Sequence, residues 1–66
     1  MSRLLKKFLT EHKGKMFRYY LKDDEECEGK LVDFDEKYLA IADYHGNITL
    51  VKISNVVKYK NFMDRK

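Results

Sequence analysis

The 66 residues include no proline, no tryptophan, one cysteine and three glycines. With no proline, nothing breaks a helix or removes a donor from a strand. The single Cys27 has no partner for an internal disulfide and no companions at metal-ligand spacing, so neither a disulfide scaffold nor a structural zinc site supplies stability. That usage fits a reducing, cytoplasmic setting. Gly14, Gly29 and Gly46 stand too far apart to form a phosphate-cradling loop. No apolar run approaches the roughly 18 residues of a membrane span. The stretch LLKKFL is too broken by lysines to be a signal-peptide core. The expectation is a soluble, cytoplasmic protein that does not enter a membrane.

Catalytic and metal-binding groupings are equally sparse. His12 and His45 lie far apart and read as helix-end and turn residues. The acidic run Asp23, Asp24, Glu25, Glu26 and Glu28 lacks calcium-loop spacing, and successive strand residues point to opposite faces, so it reads as a solvated hairpin. Carboxylates near Cys27 disfavour a thiolate, which argues against a cysteine nucleophile. The chain is expected to be non-enzymatic, with no metal and no cofactor.

What is present is the composition of a globular protein: 44% apolar residues, with fourteen basic and eleven acidic side chains. At this length only about 60% of the unfolded surface is removable on folding, so association with partners is expected. Ser2 is a helix cap, and Leu4, Leu5, Phe8 and Leu9 recur at helical spacing opposite Arg3, Lys6, Lys7 and Lys13, predicting a helix over 3–13. A helix of about three turns is marginal alone and needs a surface to cover.

From Met16 the period changes to two, predicting strands over 16–21, 27–34, 38–43, 48–51 and 56–59. KDDE, DEK, YHGN and SN supply the turns between them. No linker or internal repeat divides residues 1–66, so they read as one domain. The expected fold is all-β with one N-terminal helix: a small, strongly bent, five-stranded antiparallel open barrel with the helix over one end. Gly29 fits a strand bend, and the break in alternation around Phe34 and Asp35 fits a corner or bulge. Leu31, Phe34, Leu39, Ile41, Leu50, Ile53 and Val56 are the expected core.

Charge is segregated beneath the net +3. Residues 1–22 carry seven basic and one acidic side chain, 23–43 carry two and nine, and 44–66 carry five and one. Basic ends that converge in the fold would attract phosphate, while the acidic middle repels it. Tyr19, Tyr20, Tyr38, Tyr44 and Tyr59 are candidate base-stackers where exposed beside a cation, and core residues where not.

LKDDEECEGKLVDFDEKYLAIAD followed by NITLVKISNVVKY resembles the Sm-like family, particularly its bacterial Hfq-like branch, over roughly residues 4–60. The correspondences are the turn before Gly29, the G-x-L-x-x-F-D run ending at Phe34 and Asp35, and ISNVV from Ile53 to Val57. The resemblance implies an SH3-like barrel assembled into a closed ring, with the fourth strand of one copy pairing with the fifth of the next. It places that interface at Ile48, Thr49, Leu50, Val51, Val56, Val57, Lys58 and Tyr59, in a ring of about five to seven copies.

It also implies single-stranded RNA as the partner. Lys37 falls at the family's stacking position with Tyr38 beside it, Lys52 keeps a charge near the second motif, and Arg3, Lys6 and Lys7 form a positive helix face. Leu39 stands where the archaeal and eukaryotic branch has a base-contacting asparagine. Thr49, Leu50 and Val51 stand where the bacterial branch has tyrosine, lysine and histidine. The leading expectation is a homo-oligomeric RNA-binding ring acting as an RNA chaperone or presentation module. The alternative is a structural or protein-interaction ring, binding a protein partner and little or no RNA.

Overall fold

The computed structural model describes residues 2–61. Helix α1 (Arg3–His12) starts where the Ser2 hydroxyl accepts from the Leu5 amide at 3.1 Å, satisfying one of the open donors of the first turn. It ends one residue before the expected boundary, because Lys13 is extended and Gly14 takes φ +90°. The chain then turns into the sheet: the Gly14 amide donates to the Leu31 carbonyl at 2.7 Å, and the Leu31 amide donates to Lys15 at 3.1 Å.

Five antiparallel strands follow: β1 (Met16–Leu21), β2 (Glu26–Phe34), β3 (Tyr38–Ala42), β4 (Ile48–Lys52) and β5 (Val56–Asn61). Their order across the sheet is β4-β3-β2-β1-β5, so β4 and β5 are its two edges. β3 stops before Asp43 because that carboxylate accepts the His45 and Asn47 amides, each at 2.9 Å, and turns the chain through Gly46 at φ +85°. β4 and β5 each run past the expected ends, to Lys52 and Asn61, because Tyr38 and Phe17 supply cross-strand partners there.

Alternation decides the interior. Phe17, Tyr19, Leu31, Leu39, Ile41 and Val51 point inward and, with Leu9 of the helix, form the buried core. Phe34, Ile53 and Val56 pack against its rim. Leu50 does not: it is 65% exposed, because Leu39 pairs with Val51 and therefore turns Leu50 outward beside Ala40. Leu4 also leaves the expected apolar stripe and is 80% exposed. The irregularity in β2 comes at Val32, between Leu31 and Asp33, earlier than the residues where the sequence pattern fails. Phe34 keeps its strand pairing with Leu39.

The helix is held by aromatic packing. Phe8 lies 4.8 Å from Tyr59 and 6.2 Å from Phe17 between ring centroids, and His12 meets Phe17 edge-on at 5.5 Å. His12 stacks on Phe8 at 4.0 Å, and its Nδ1 donates to the Phe8 carbonyl at 2.7 Å, so the proton sits on Nδ1. These contacts give the short helix the surface that its length requires.

Gly29 sits buried in β2 opposite Phe17. A Cβ there would collide with the Ala42 carbonyl oxygen and come within 2.8 Å of Ile41 Cγ2. The obstacle is backbone of the next strand, which cannot swing away. Gly29→Ala is therefore expected to cost about 1–3 kcal/mol as the strands are forced apart. A urea titration followed by circular dichroism checks this, and an unchanged midpoint would contradict it.

Candidate functional site

The turn after β2 is built by one carboxylate. Asp35 Oδ1 accepts from the amides of Lys37 and Tyr38, each at 2.8 Å, while the Asp35 amide donates to the Tyr38 carbonyl at 3.0 Å. The Lys37 and Tyr38 amides, in that order, hold the Asp35 carboxyl below the usual carboxylate range. The Ile53 amide donates to the Lys37 carbonyl at 2.8 Å, tying this turn to the one between β4 and β5. The result is a cavity of 410 Å³ lined by Glu36, Lys37, Lys52, Ile53 and Ser54.

Lys37 and Lys52, distant in sequence, thus share one cavity. Tyr38 pairs with Lys52 across the strands but opens into a neighbouring hollow of 190 Å³ with Asp33, Phe34, Asp35, Ala40 and Leu50. Lys37 lines the first hollow and Tyr38 the second. Arg3, Lys6 and Lys7 lie exposed along the helix, and none of the three lines the cavity. Glu36 and Ser54 complete the lining, which sequence spacing gave no means of anticipating.

A second cavity, of 420 Å³, lies at the other end of β2. It is lined by Tyr20, Leu21, Lys22, Asp23, Asp24, Glu25, Glu26, Val57 and Lys58. Lys58 Nζ stands 5.1 Å from the centroid of the Tyr20 ring. The acidic hairpin is therefore one wall of a concave surface, closed by β5 from far along the chain. Beside it, Arg18 bridges to Glu28 at 3.2 Å and Glu26 at 3.8 Å, and the Tyr44 hydroxyl donates to Glu28 at 3.4 Å.

The remaining tyrosines divide by burial. Tyr19 is a core residue whose phenol is pushed up from its ordinary pKa, first by desolvation. Tyr59 belongs to the aromatic packing under the helix. Cys27 is half-buried, and burial followed by the charge of Asp43 pushes its thiol up, against a thiolate.

The sheet edges carry exposed apolar side chains. Ile48 and Leu50 on β4 are 54% and 65% exposed, and Val57 on β5 is 65% exposed. Thr49 also lies exposed on β4, and Val51 points into the core. Between α1, β5 and the turn before it lies a hollow of 230 Å³ whose lining includes Leu5, Leu9, Leu39, Val56, Val57 and Tyr59. Among the described residues, no group of three His, Cys, Asp or Glu side chains is placed to hold a metal ion. No described helix is long and apolar enough to cross a membrane.

No family model matches the chain, and no curated protein matches it. Among solved structures it is similar to a crystal structure of the pleiotropic translational regulator Hfq, with a TM-score of 0.80 over 91% of this chain and 92% of that one. The chain has an Sm-like fold. At 13% identity the likeness is one of backbone architecture. In this Sm-like fold the lysine cavity lies at the end reached by the β2–β3 and β4–β5 turns. The acidic cavity lies at the β1–β2 turn.

The two Asx-type turns, at Asp35 and Asp43, give the protein an acid dependence. The Asp43 carboxyl is also held below its ordinary range, first by the Asn47 amide and with help from His45. Both groups bind protons less readily folded than unfolded, where an aspartate titrates near about 3.9. Their stabilisation is fully present above that value and is lost as pH falls through the lower folded values. Asp35→Asn combined with Asp43→Asn is expected to flatten the decline of the urea midpoint below about pH 4. An unchanged acid slope would overturn this account.

Proposed function

We propose that the protein is a non-enzymatic, cytoplasmic ring of about five to seven copies that binds single-stranded RNA, as an RNA chaperone or presentation module. The observation that carries the reading is the convergence of Lys37 and Lys52 in one cavity. Two cations at a concave surface suit a phosphate backbone, and Arg3 and Lys7 extend the positive helix face. Tyr38, on the adjoining hollow, supplies an aromatic surface for a base leaving that cavity. The Sm-like fold supports the same reading, since the Hfq structure it matches is that of a translational regulator.

Ring closure answers the problem of the edges. β4 and β5 each leave a row of backbone donors and acceptors open, beside exposed Ile48, Leu50 and Val57. Pairing β4 of one copy with β5 of the next would satisfy both rows at once and remove the apolar surface from water. It would enlist Thr49, Val51, Val56, Lys58 and Tyr59 on the same strands. Repetition of a weak lysine site around a ring then raises the effective affinity for one RNA strand.

A second reading has an observation of its own. The apolar hollow of 230 Å³ between α1 and β5, lined by Leu5, Leu9 and Val56, suits a ring that receives a protein partner instead of RNA.

Light scattering is expected to give a mass several times the 8.0 kDa protomer, with Val57→Glu reducing it. An unaltered chain that stays a protomer would overturn the ring. For RNA, Lys37→Gln with Lys52→Gln is expected to weaken binding of labelled oligouridylate about tenfold or more and to lower the log–log salt slope by about 1.4. A stable oligomer without saturable RNA binding at low salt would favour the protein-interaction reading.

A further inference from the structure

Two cavities of nearly equal size, 410 and 420 Å³, lie at opposite ends of β2, and volume does not distinguish them as places for a nucleotide. Aromatic surface favours the second, because Tyr20 lines it and Tyr38 does not line the first. Charge reverses the preference. The first carries Lys37 and Lys52 against Glu36, whereas the second carries Lys22 and Lys58 against Asp23, Asp24, Glu25 and Glu26.

We infer that the carboxylates of the β1–β2 turn close the Tyr20 cavity to nucleic acid, making this protein a one-sided RNA binder. A base stacked on Tyr20 would carry its phosphate toward Asp23, Asp24, Glu25 and Glu26, which line the same cavity. It would also compete with Lys58 for the ring face, 5.1 Å from the ammonium. The cavity sets two lysines against four carboxylates, so its field opposes the phosphate that a base stacked on Tyr20 would carry in. Arg18, held between Glu26 and Glu28, offsets part of their charge and leaves the lining net negative. The selectivity is negative: Asp24, Glu25 and Glu26 act by excluding a ligand that the shape and the aromatic ring would otherwise accept.

This inference rests on the RNA-binding reading, and the test keeps the two apart by working in the Lys37→Gln, Lys52→Gln background. The full chain with those changes then receives Asp24→Asn, Glu25→Gln and Glu26→Gln, which preserve side-chain size and remove charge. Each protein is titrated by anisotropy with fluorescein-labelled oligoadenylate and oligouridylate, with circular dichroism confirming the fold. The expected result is a gain of about tenfold or more over the background, abolished by adding Tyr20→Ala. No gain, or a gain that survives Tyr20→Ala, overturns the inference. Should the triple change prevent folding, Glu25→Lys alone at the exposed turn carries the same test. Loss of RNA binding by the otherwise unaltered protein on Tyr20→Ala would also overturn it. Whether Lys37 and Lys52 bind RNA at all is read separately, from the unaltered chain against the background.

Discussion

The close passage of β2 over the end of β3 at Gly29 is the constraint on which this architecture depends. Because no side chain intervenes, the Ala42 carbonyl and the Ile41 side chain approach the β2 backbone directly. The sheet can curl there instead of spreading flat. Curvature lets a five-stranded sheet of this length enclose Phe17, Leu31 and Ile41 almost completely. It also brings the first residues of β5 over the β1–β2 turn, forming a concave surface from parts of the chain that are remote in sequence.

Much of the fold was legible because alternation and turn chemistry are local. The change from helical period to strand period near Met16, and the glycine and aspartate turns, announce a helix followed by five strands. Inward residues were legible wherever one parity was clearly more apolar, as at Leu31, Leu39 and Ile41. In β4 both parities are apolar: Leu50 and Val51 are adjacent, and only the pairing of Val51 with Leu39 decides which faces the core. Tyr19 and Tyr20 present the same ambiguity in β1, resolved with Tyr19 inside.

The candidate site was less legible, since it depends on contacts between turns. The family likeness directed attention to Lys37 and Lys52, but the hydrogen bond from Ile53 to Lys37 is what joins their turns. Tyr38 adjoins Lys37 in sequence, yet it lines the neighbouring hollow and not the lysine cavity. The acidic run was correctly a hairpin, yet its sequence held no sign that Lys58 would lie against Tyr20 across the same cavity. The charge segments of the chain do not map onto the cavities: Lys37 comes from the acidic middle, and Lys22 and Lys58 of the basic ends line the acidic cavity.

Val57 borders both the apolar hollow beside the helix and the acidic cavity at the opposite turn. A single codon therefore shapes two surfaces that face different surroundings. A substitution at this position would alter both linings at once. Either surface can be altered alone only through residues it does not share, such as Leu5 on one side and Glu25 on the other.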